Sequence, residues 1–162
     1  ICFVPEFLRE RAAYKDFIDN HNLCLVGTKN KKVYKKVIKS HEGLAKNFVM
    51  LKPNEAELVK YFSNVYAALK ITFANNMFEI AKKMKCNYKK IKNTYMYMGR
   101  SKDVYLDANK NLRGYAGVCL PKDTKALIYL IKKKNINLDL IKTIEKDNNK
   151  LKKTIFKGMR KS

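Results

Sequence analysis

The sequence has no tryptophan and little proline or glycine, with three Pro and six Gly among 162 residues. So few breaker residues exclude a collagen-like or low-complexity chain. With 46% hydrophobic and 11% aromatic residues, the chain can bury a core, so we expect a folded protein rather than a disordered polycation. No apolar run approaches the roughly 20 residues that a membrane-spanning helix needs, so we expect no membrane partner.

Cysteine is also sparse, because the four residues are scattered and form no C-x-x-C pair. Neither His21 nor His41 lies near a cysteine at metal-ligand spacing, so we expect no metal site and place both histidines on the surface. Free thiols and the lack of a signal peptide favour a cytoplasmic protein. We expect Cys2, Cys24 and Cys86 to be small buried hydrophobic residues.

Acidic residues are few, with 14 Asp and Glu against 36 Lys and Arg, and the formal net charge is +22. Such a charge attracts nucleic acid and other polyanions nonspecifically. Specific readers of nucleic acid rely on arginine, and only 5 of the 36 basic residues are Arg. We therefore expect a solvated lysine surface and no specific nucleic-acid site, with general polyanion binding as an alternative.

Hydrophobic periodicity divides the chain between residues 52 and 53. Before this point, β-like runs alternate with helix-like stretches, which is typical of a parallel α/β unit. The runs are 1–4, 23–27 and 47–51, and the helical stretches are 6–17 and 31–40. Three strands are too few for a complete doubly wound domain. We therefore expect 1–52 to be the last part of one, and the chain to be a piece of a longer protein.

Pro53 opens a long helix, which Asn54 can cap and in which apolar residues recur at steps of three and four. These residues are Leu58, Phe62, Val65, Leu69, Phe73, Met77, Ile80 and Met84. A helix over 54–84 is roughly 45 Å long, more than so short a chain can cover. We expect it to bridge to another domain or to pair with a second copy in a homodimer. Further helices are predicted at 87–99, 122–134 and 137–157, so the fold class is mainly α with an N-terminal α/β remnant.

An irregular stretch over residues 101–121 ends in Gly-Tyr-Ala-Gly-Val-Cys-Leu-Pro-Lys-Asp-Thr. Cys119 lies just before a predicted helix, whose first N–H groups and dipole favour an anion, and Lys122 adds a positive charge. This pattern predicts a nucleophilic thiol, with an inert buried cysteine as the alternative. Asp123 follows the cysteine by one helical turn, where it could hold a water or a lysine.

Three ordered motifs span most of the chain. They are Val-Pro-Glu-Phe-Leu-Arg-Glu at 4–10, Glu57-x-x-Lys60-x-x-x-Asn64 leading into Lys-Ile-Thr-Phe-Ala-Asn, and Gly-Val-Cys-Leu-Pro-Lys-Asp-Thr-Lys-Ala-Leu at 117–127. On its own, the Lys60 and Asn64 pair is most often solvated surface. Together the motifs resemble the UDP-glucose 6-dehydrogenases of the UDP-glucose/GDP-mannose dehydrogenase family.

The resemblance implies the domain organisation. Residues 1–52 would be the end of a Rossmann NAD-binding domain. Residues 53–162 would form the central dimerising and catalytic domain, which is helical and similar to the C-terminal domain of 6-phosphogluconate dehydrogenase. The glycine-rich NAD loop and the UDP-binding domain of the family are absent from the sequence, so we expect these 162 residues alone to be inactive.

The implied reaction is a four-electron oxidation of the C6 alcohol of UDP-glucose to a carboxylate by two NAD molecules. Cys119 would capture the intermediate aldehyde as a thiohemiacetal that becomes a thioester. Lys60 would stabilise oxyanion charge beside Asn64, Asp123 would position a water or Lys60, and Glu6 would assist hydrolysis of the thioester.

The resemblance also implies residues that contact the ligands. On the sugar and nucleotide side these are Phe7, Leu8, Arg9, Glu10 and the loop of Gly114, Tyr115, Ala116 and Gly117. Lys122 is assigned to NAD. Arg100 with Tyr105 would reach into the partner subunit's site, and Arg113 is a competing candidate. Val4, Ala116 and Asn76 depart from the usual Asn, Gly and Glu of the family. A GDP-mannose dehydrogenase and a noncatalytic dimerisation module remain alternatives.

Overall fold

The computed structural model describes residues 2–8, 12–99 and 104–151. The chain divides into two compact units, Ile1–Phe62 and Ser63–Ser162. The fold is mainly helical, as predicted, with one small sheet. The elements are α1 (Ala13–Ile18), β1 (Cys24–Gly27), α2 (Lys31–Ser40), β2 (Phe48–Leu51), α3 (Pro53–Lys83), α4 (Tyr88–Tyr97), a 3₁₀ helix (Val104–Leu106), α5 (Cys119–Lys133) and α6 (Leu140–Lys150).

The first unit contains a β–α–β arrangement. Strands β1 and β2 pair in parallel, and α2 connects them, which confirms the predicted parallel α/β unit. Every residue of β1 is buried, so this apolar run forms the core of the unit. Helix α2 has the predicted bounds because the Asn30 side chain accepts hydrogen bonds from the N–H groups of Lys32 and Val33, at 2.9 and 3.3 Å.

The N-terminal segment differs from the sequence-based expectation. In place of a strand at 1–4, Phe3 makes a single antiparallel bridge with Gly27, in which each N–H bonds to the other's carbonyl. Residues 6–8 of the predicted helix at 6–17 are not helical, and the helix observed in this region is Ala13–Ile18. The Glu6 carbonyl accepts a hydrogen bond from the Lys60 ammonium, so a contact with α3 holds this segment in a non-helical conformation.

Helix α3 matches the predicted long helix to within one residue at each end. Its N-terminus is capped by Glu55 rather than Asn54, because a Glu55 carboxylate oxygen accepts a 2.8 Å bond from the Lys52 N–H. The buried residues of α3 are mostly small: Ala56, Val65, Ala67, Ala68, Thr72, Ala74, Asn75 and Ala81. Five members of the predicted apolar stripe are exposed instead: Leu58, Phe62, Phe73, Ile80 and Met84.

The second unit has a core of Ala68, Tyr115 and Ile144. Half-buried apolar residues of α3, α5 and α6 pack around it, and α5 packs against α6. Helix α5 begins at Cys119, three residues before the predicted start, so Pro121 lies in its first turn, where no N–H is needed. Helix α6 begins at Leu140 rather than at Asn137, and the predicted continuation over 152–157 lies outside the described residues.

Two cysteine predictions are wrong. Cys2 and Cys86 are exposed, whereas Cys24 is buried in β1 as expected, and burial raises its pKa. His21 and His41 are half-buried rather than fully on the surface, because both rings pack near the Phe17 ring, with centroid distances of 5.0 and 6.2 Å. In the part of the chain that the structure describes, no helix has both the length and the apolar character to cross a membrane.

Candidate active site

Cys119 is the first residue of α5, and it is exposed. The first N–H groups of an α-helix have no partner within the helix, and the dipole places partial positive charge there. The preceding residue, Val118, makes no side-chain cap that would satisfy them. The thiol therefore lies at the exposed N-terminus of α5, and not in apolar packing.

Asp123 lies one turn after Cys119 on α5, on the same face of the helix. Its side chain is almost completely buried, since the residue is only 4% exposed. Asn64 of α3 donates a 2.5 Å hydrogen bond from Nδ2 to Oδ2 of Asp123. The Lys122 ammonium lies 3.4 Å from Oδ1. A buried carboxylate with these two partners is fixed in position and partly neutralised.

Lys60, one turn before Asn64 on α3, has its partners in the first unit. Its ammonium donates a hydrogen bond to the Glu6 carbonyl and lies 5.7 Å from the centre of the Phe7 ring. Lys60 thus attaches the Pro-Glu-Phe-Leu motif to α3. Glu6 and Phe7 are exposed and Leu8 is half-buried, so this motif presents side chains to solvent.

The loop before Cys119 has two glycines with positive φ, Gly114 at 62° and Gly117 at 88°. These conformations are easy for glycine and strained for other residues. Ala116, which stands where the family usually has a third glycine, is not among the residues with positive φ. The alanine at this position is therefore compatible with the loop.

Asn148 of α6 holds this loop through two hydrogen bonds to the backbone of Tyr115. Its Oδ1 accepts a 2.7 Å hydrogen bond from the Tyr115 N–H, and its Nδ2 donates a 3.0 Å bond to the Tyr115 carbonyl. Both residues are 2% exposed. A Cβ added at Gly114 would lie 2.7 Å from Asn148 Oδ1, so glycine is required there for contact as well as for conformation.

The Tyr115 ring lies in the core with Ala68 and Ile144, rather than at the surface where the resemblance implies a substrate contact. Burial raises the pKa of its hydroxyl, as does the charge of Glu145, while the Thr124 side chain opposes the shift. The ring therefore anchors the loop by packing. Of the other loop residues, Gly114 is buried, whereas Ala116 and Gly117 are half-buried.

The remaining predicted ligand residues are more scattered. The Arg113 guanidinium lies 2.5 Å from a carboxylate oxygen of Glu79 and 4.9 Å from the centre of the Phe78 ring, so it has partners within its own unit. The Tyr105 ring lies 5.2 Å from the Lys70 ammonium. Arg9, Glu10 and Arg100 lie outside the described residues.

Comparison with known proteins gives the family. The model of the UDP-glucose/GDP-mannose dehydrogenase family, central domain, matches residues 54–150, which is more than half of the chain. The chain belongs to this family. It is 35% identical to the UDP-glucose 6-dehydrogenase of Campylobacter jejuni over 158 residues, covering 96% of this chain and 39% of that protein.

Two further relatives agree. The chain is 32% identical to the UDP-glucose 6-dehydrogenase of Rickettsia conorii over 147 residues, covering 89% of this chain and 33% of the relative. The structure of a UDP-glucose dehydrogenase from Pyrobaculum islandicum matches with a TM-score of 0.82 and 30% identity, over 92% of this chain and 34% of the other. The chain thus spans about one third of the length of these family members.

Sequence reasoning missed Asn148. Its segment, Glu-Lys-Asp-Asn-Asn-Lys, has the composition of a solvated surface. The signal was positional, because Asn148 follows the core residues Ile141 and Ile144 at steps of three and four and so shares their face of α6. An asparagine on an apolar helical face indicates a buried polar contact.

Proposed function

We propose that the chain is the central part of a UDP-glucose 6-dehydrogenase that oxidises the sugar through a covalent intermediate on Cys119. One observation carries this proposal. An exposed cysteine at the start of α5 precedes, by one turn, a buried Asp123 that is fixed by Asn64. A nucleophilic thiol needs polar groups that are held in fixed positions beside it. A buried carboxylate one turn away, fixed by a hydrogen bond, is such a group.

The chemistry assigns one role to each residue. NAD, when bound, accepts the hydride in each of the two oxidations. After the C6 alcohol has become an aldehyde, the Cys119 thiolate attacks C6, a C–S bond forms, and the carbonyl oxygen takes a proton to give a thiohemiacetal. Loss of this proton and of the C6 hydride leaves a thioester. Water then attacks the thioester, the C–S bond breaks, and the products are a carboxylate, the free thiolate and two protons.

The charged residues stabilise and orient the reacting groups. Lys60 and Asn64 lie one turn apart on α3, and we assign them to the oxyanion that develops at C6. Asp123 keeps Asn64 oriented through their hydrogen bond and positions water or a lysine. Glu6, whose side chain is exposed, assists the hydrolytic water.

Substrate contacts are assigned to two segments, as the resemblance implies. Phe7, Leu8, Arg9 and Glu10 bind the sugar and nucleotide, and the loop of Gly114 to Gly117 closes over the glucose-diphosphate region. Small loop residues let the backbone approach a ligand closely. Arg100 with Tyr105, or alternatively Arg113, contributes to the site of a partner subunit.

These 162 residues contain few of the features that bind NAD. The sequence contains no Gly-x-Gly-x-x-Gly turn, which a Rossmann domain uses to hold the pyrophosphate. The Lys122 side chain is 62% exposed beside Asp123, so its ammonium can reach an anionic cofactor. We propose that other parts of the protein bind NAD and the uridine, and that this chain alone does not turn over.

We also propose that α3 pairs with its counterpart in a homodimer. Four large apolar residues of the helix, Leu58, Phe62, Phe73 and Ile80, are exposed, as is Met84 directly after it. Large exposed apolar side chains that recur along one helix are typical of an interaction site. A reducing compartment such as the cytoplasm keeps Cys119 as a free thiol.

The test is NADH formation from UDP-glucose and NAD by the complete protein that contains these residues. We expect two NADH for each UDP-glucuronate, and a loss of at least a thousandfold in kcat for Cys119→Ser, on the scale of removing other nucleophiles (roughly 10³ or more). Unchanged turnover in Cys119→Ser would refute the covalent route. Oxidation of GDP-mannose in preference to UDP-glucose would support the other activity named for this family.

A further inference from the structure

We propose that Asn148 is a positioning residue that fixes the loop before Cys119, and with it the first turn of α5. The inference rests on the proposed function for its consequence, but its structural part can be tested separately. The key observation is the pair of hydrogen bonds, 2.7 and 3.0 Å, that Asn148 makes with the N–H and the carbonyl of Tyr115.

Burying a side-chain amide or a backbone N–H or carbonyl costs free energy unless each group has a hydrogen-bond partner. The Asn148 side chain is 2% exposed, so water cannot replace either partner. One side-chain amide satisfies the N–H and the carbonyl of the same residue, and so fixes the two peptide groups on either side of the Tyr115 Cα. The contact joins residues 33 positions apart in the sequence and ties the loop to α6.

The neighbouring residues show that the loop is built around this contact. Gly114 has a φ of 62° and would bring a Cβ within 2.7 Å of Asn148 Oδ1, so the loop backbone passes directly over the amide. The Tyr115 ring packs in the core beside Ala68 and Ile144. The loop is thus held through both the backbone and the side chain of one residue.

The position of the loop affects Cys119 because Cys119 follows Tyr115 by only four positions in the sequence. Tyr115 is followed by Ala116, Gly117 and Val118, and the Val118 carbonyl accepts the first hydrogen bond of α5, from the Lys122 N–H at 3.3 Å. Val118 makes no side-chain cap, so the position of the first turn of α5 depends on the conformation of the loop that precedes it. If the loop is released, this first turn frays and the Cys119 thiol loses its fixed place beside the first N–H groups of the helix.

The experiment compares the 162-residue chain with its Asn148→Ala variant by amide hydrogen exchange and by alkylation with iodoacetamide near neutral pH. We expect the Tyr115 amide to exchange about tenfold faster, as for the loss of one buried hydrogen bond. The Lys122 amide should also exchange faster, and Cys119 should be alkylated about two- to five-fold more slowly, the scale of a helix-terminus effect. The exposed Cys86 should not change.

A matched control is Thr143→Ala, an exposed position on the same helix, which should leave both amides and Cys119 as in the unsubstituted chain. The proposal is overturned if Asn148→Ala leaves the Tyr115 amide protected. It is also overturned if Tyr115 is released while the Lys122 amide and Cys119 keep their rates. Slow alkylation of Cys119 in the unsubstituted chain would count against the proposed function alone, because the two amides report on Asn148 without reference to the thiol.

A second variant covers the case in which Asn148→Ala does not fold. In Asn148→Asp, a neutral carboxyl group can accept from the Tyr115 N–H and donate to its carbonyl, whereas a carboxylate can only accept. Relative to the unsubstituted chain at the same pH, we expect a lower free energy of unfolding at pH 7, where a carboxylate oxygen would face the Tyr115 carbonyl with no proton to donate, and recovery near pH 3. An equal deficit at both pH values would overturn the proposal.

Discussion

Asn64 donates a 2.5 Å hydrogen bond to Asp123, although the two residues lie 59 positions apart in the sequence. The contact joins α3 to α5, one turn after Cys119. It brings together residues from two of the motifs quoted from the sequence. It also gives the buried Asp123 carboxylate a donor that it could not obtain from water.

Removing that donor should destabilise the chain. In Asn64→Ala, the Asp123 carboxylate stays buried with one partner fewer, so we expect the free energy of unfolding to fall by about 1–3 kcal/mol. Urea denaturation measures this difference. Asn76→Ala is the matched control, because Asn76 is an exposed asparagine of the same helix with a longer, 3.2 Å bond to Asp147. Equal losses in the two variants would contradict a special role for the Asn64 contact.

Gly114→Ala should be more destabilising than Gly43→Ala. Both glycines have positive φ, and we expect the backbone strain to cost about 1–2 kcal/mol at each position. A Cβ at Gly43 meets nothing within 4 Å, whereas one at Gly114 meets Asn148 Oδ1 at 2.7 Å, which adds roughly 1–3 kcal/mol. Thermal unfolding of both variants measures the difference. No difference between them would show that the loop does not pass close to Asn148.

Asp147 should make stability pH-dependent in acid. Hydrogen bonds from Lys150 and then Asn76 lower the pKa of this carboxyl group in the folded state. A lowered folded pKa means that the contribution is complete above the unfolded pKa, about 4, and is lost as pH falls through the folded pKa. Melting temperatures between pH 5 and pH 2 should therefore fall less in Asp147→Asn than in the unsubstituted chain. Parallel curves for the two proteins would contradict this assignment.

The exposed face of α3 predicts dimerisation. Phe73 is 58% exposed on this helix, and a charge there should oppose pairing of two copies. We expect the unsubstituted chain to sediment as a dimer and Phe73→Glu as a monomer. Tyr129→Glu, at an exposed aromatic residue of α5, should remain dimeric. A monomeric unsubstituted chain, or a dimeric Phe73→Glu variant, would contradict the proposed interface.

Much of the fold could be predicted because its signals are local. The bounds of α2 follow from the Asn30 cap, and those of α3 from a strong start at Pro53 and a long helical periodicity. The sequence places Asn64 and Asp123 in candidate motifs, but the contact between them was not predicted. Local chemistry was sufficient for the two helices.

The rest depends on long-range packing. The large apolar residues of α3, such as Phe73, were expected on one stripe, but alanines such as Ala68 form the face that this chain buries. Small residues allow the close packing of Ala68 with Tyr115 and Ile144, and periodicity alone gives them little weight. Asn148 was missed for a similar reason, since only the fold shows that it faces the Tyr115 backbone.

The central claim is that the position of Cys119 at the start of α5 makes it an unusually reactive thiol. The most direct test is the alkylation rate of each of the four cysteines of the chain, measured by mass spectrometry near pH 7. We expect Cys119 to react fastest and Cys24 slowest, because Cys24 is buried and its pKa is raised. Cys2 and Cys86, which are exposed outside this site, give the reference rate. If Cys119 reacts no faster than Cys2 and Cys86, the account of its reactivity is contradicted.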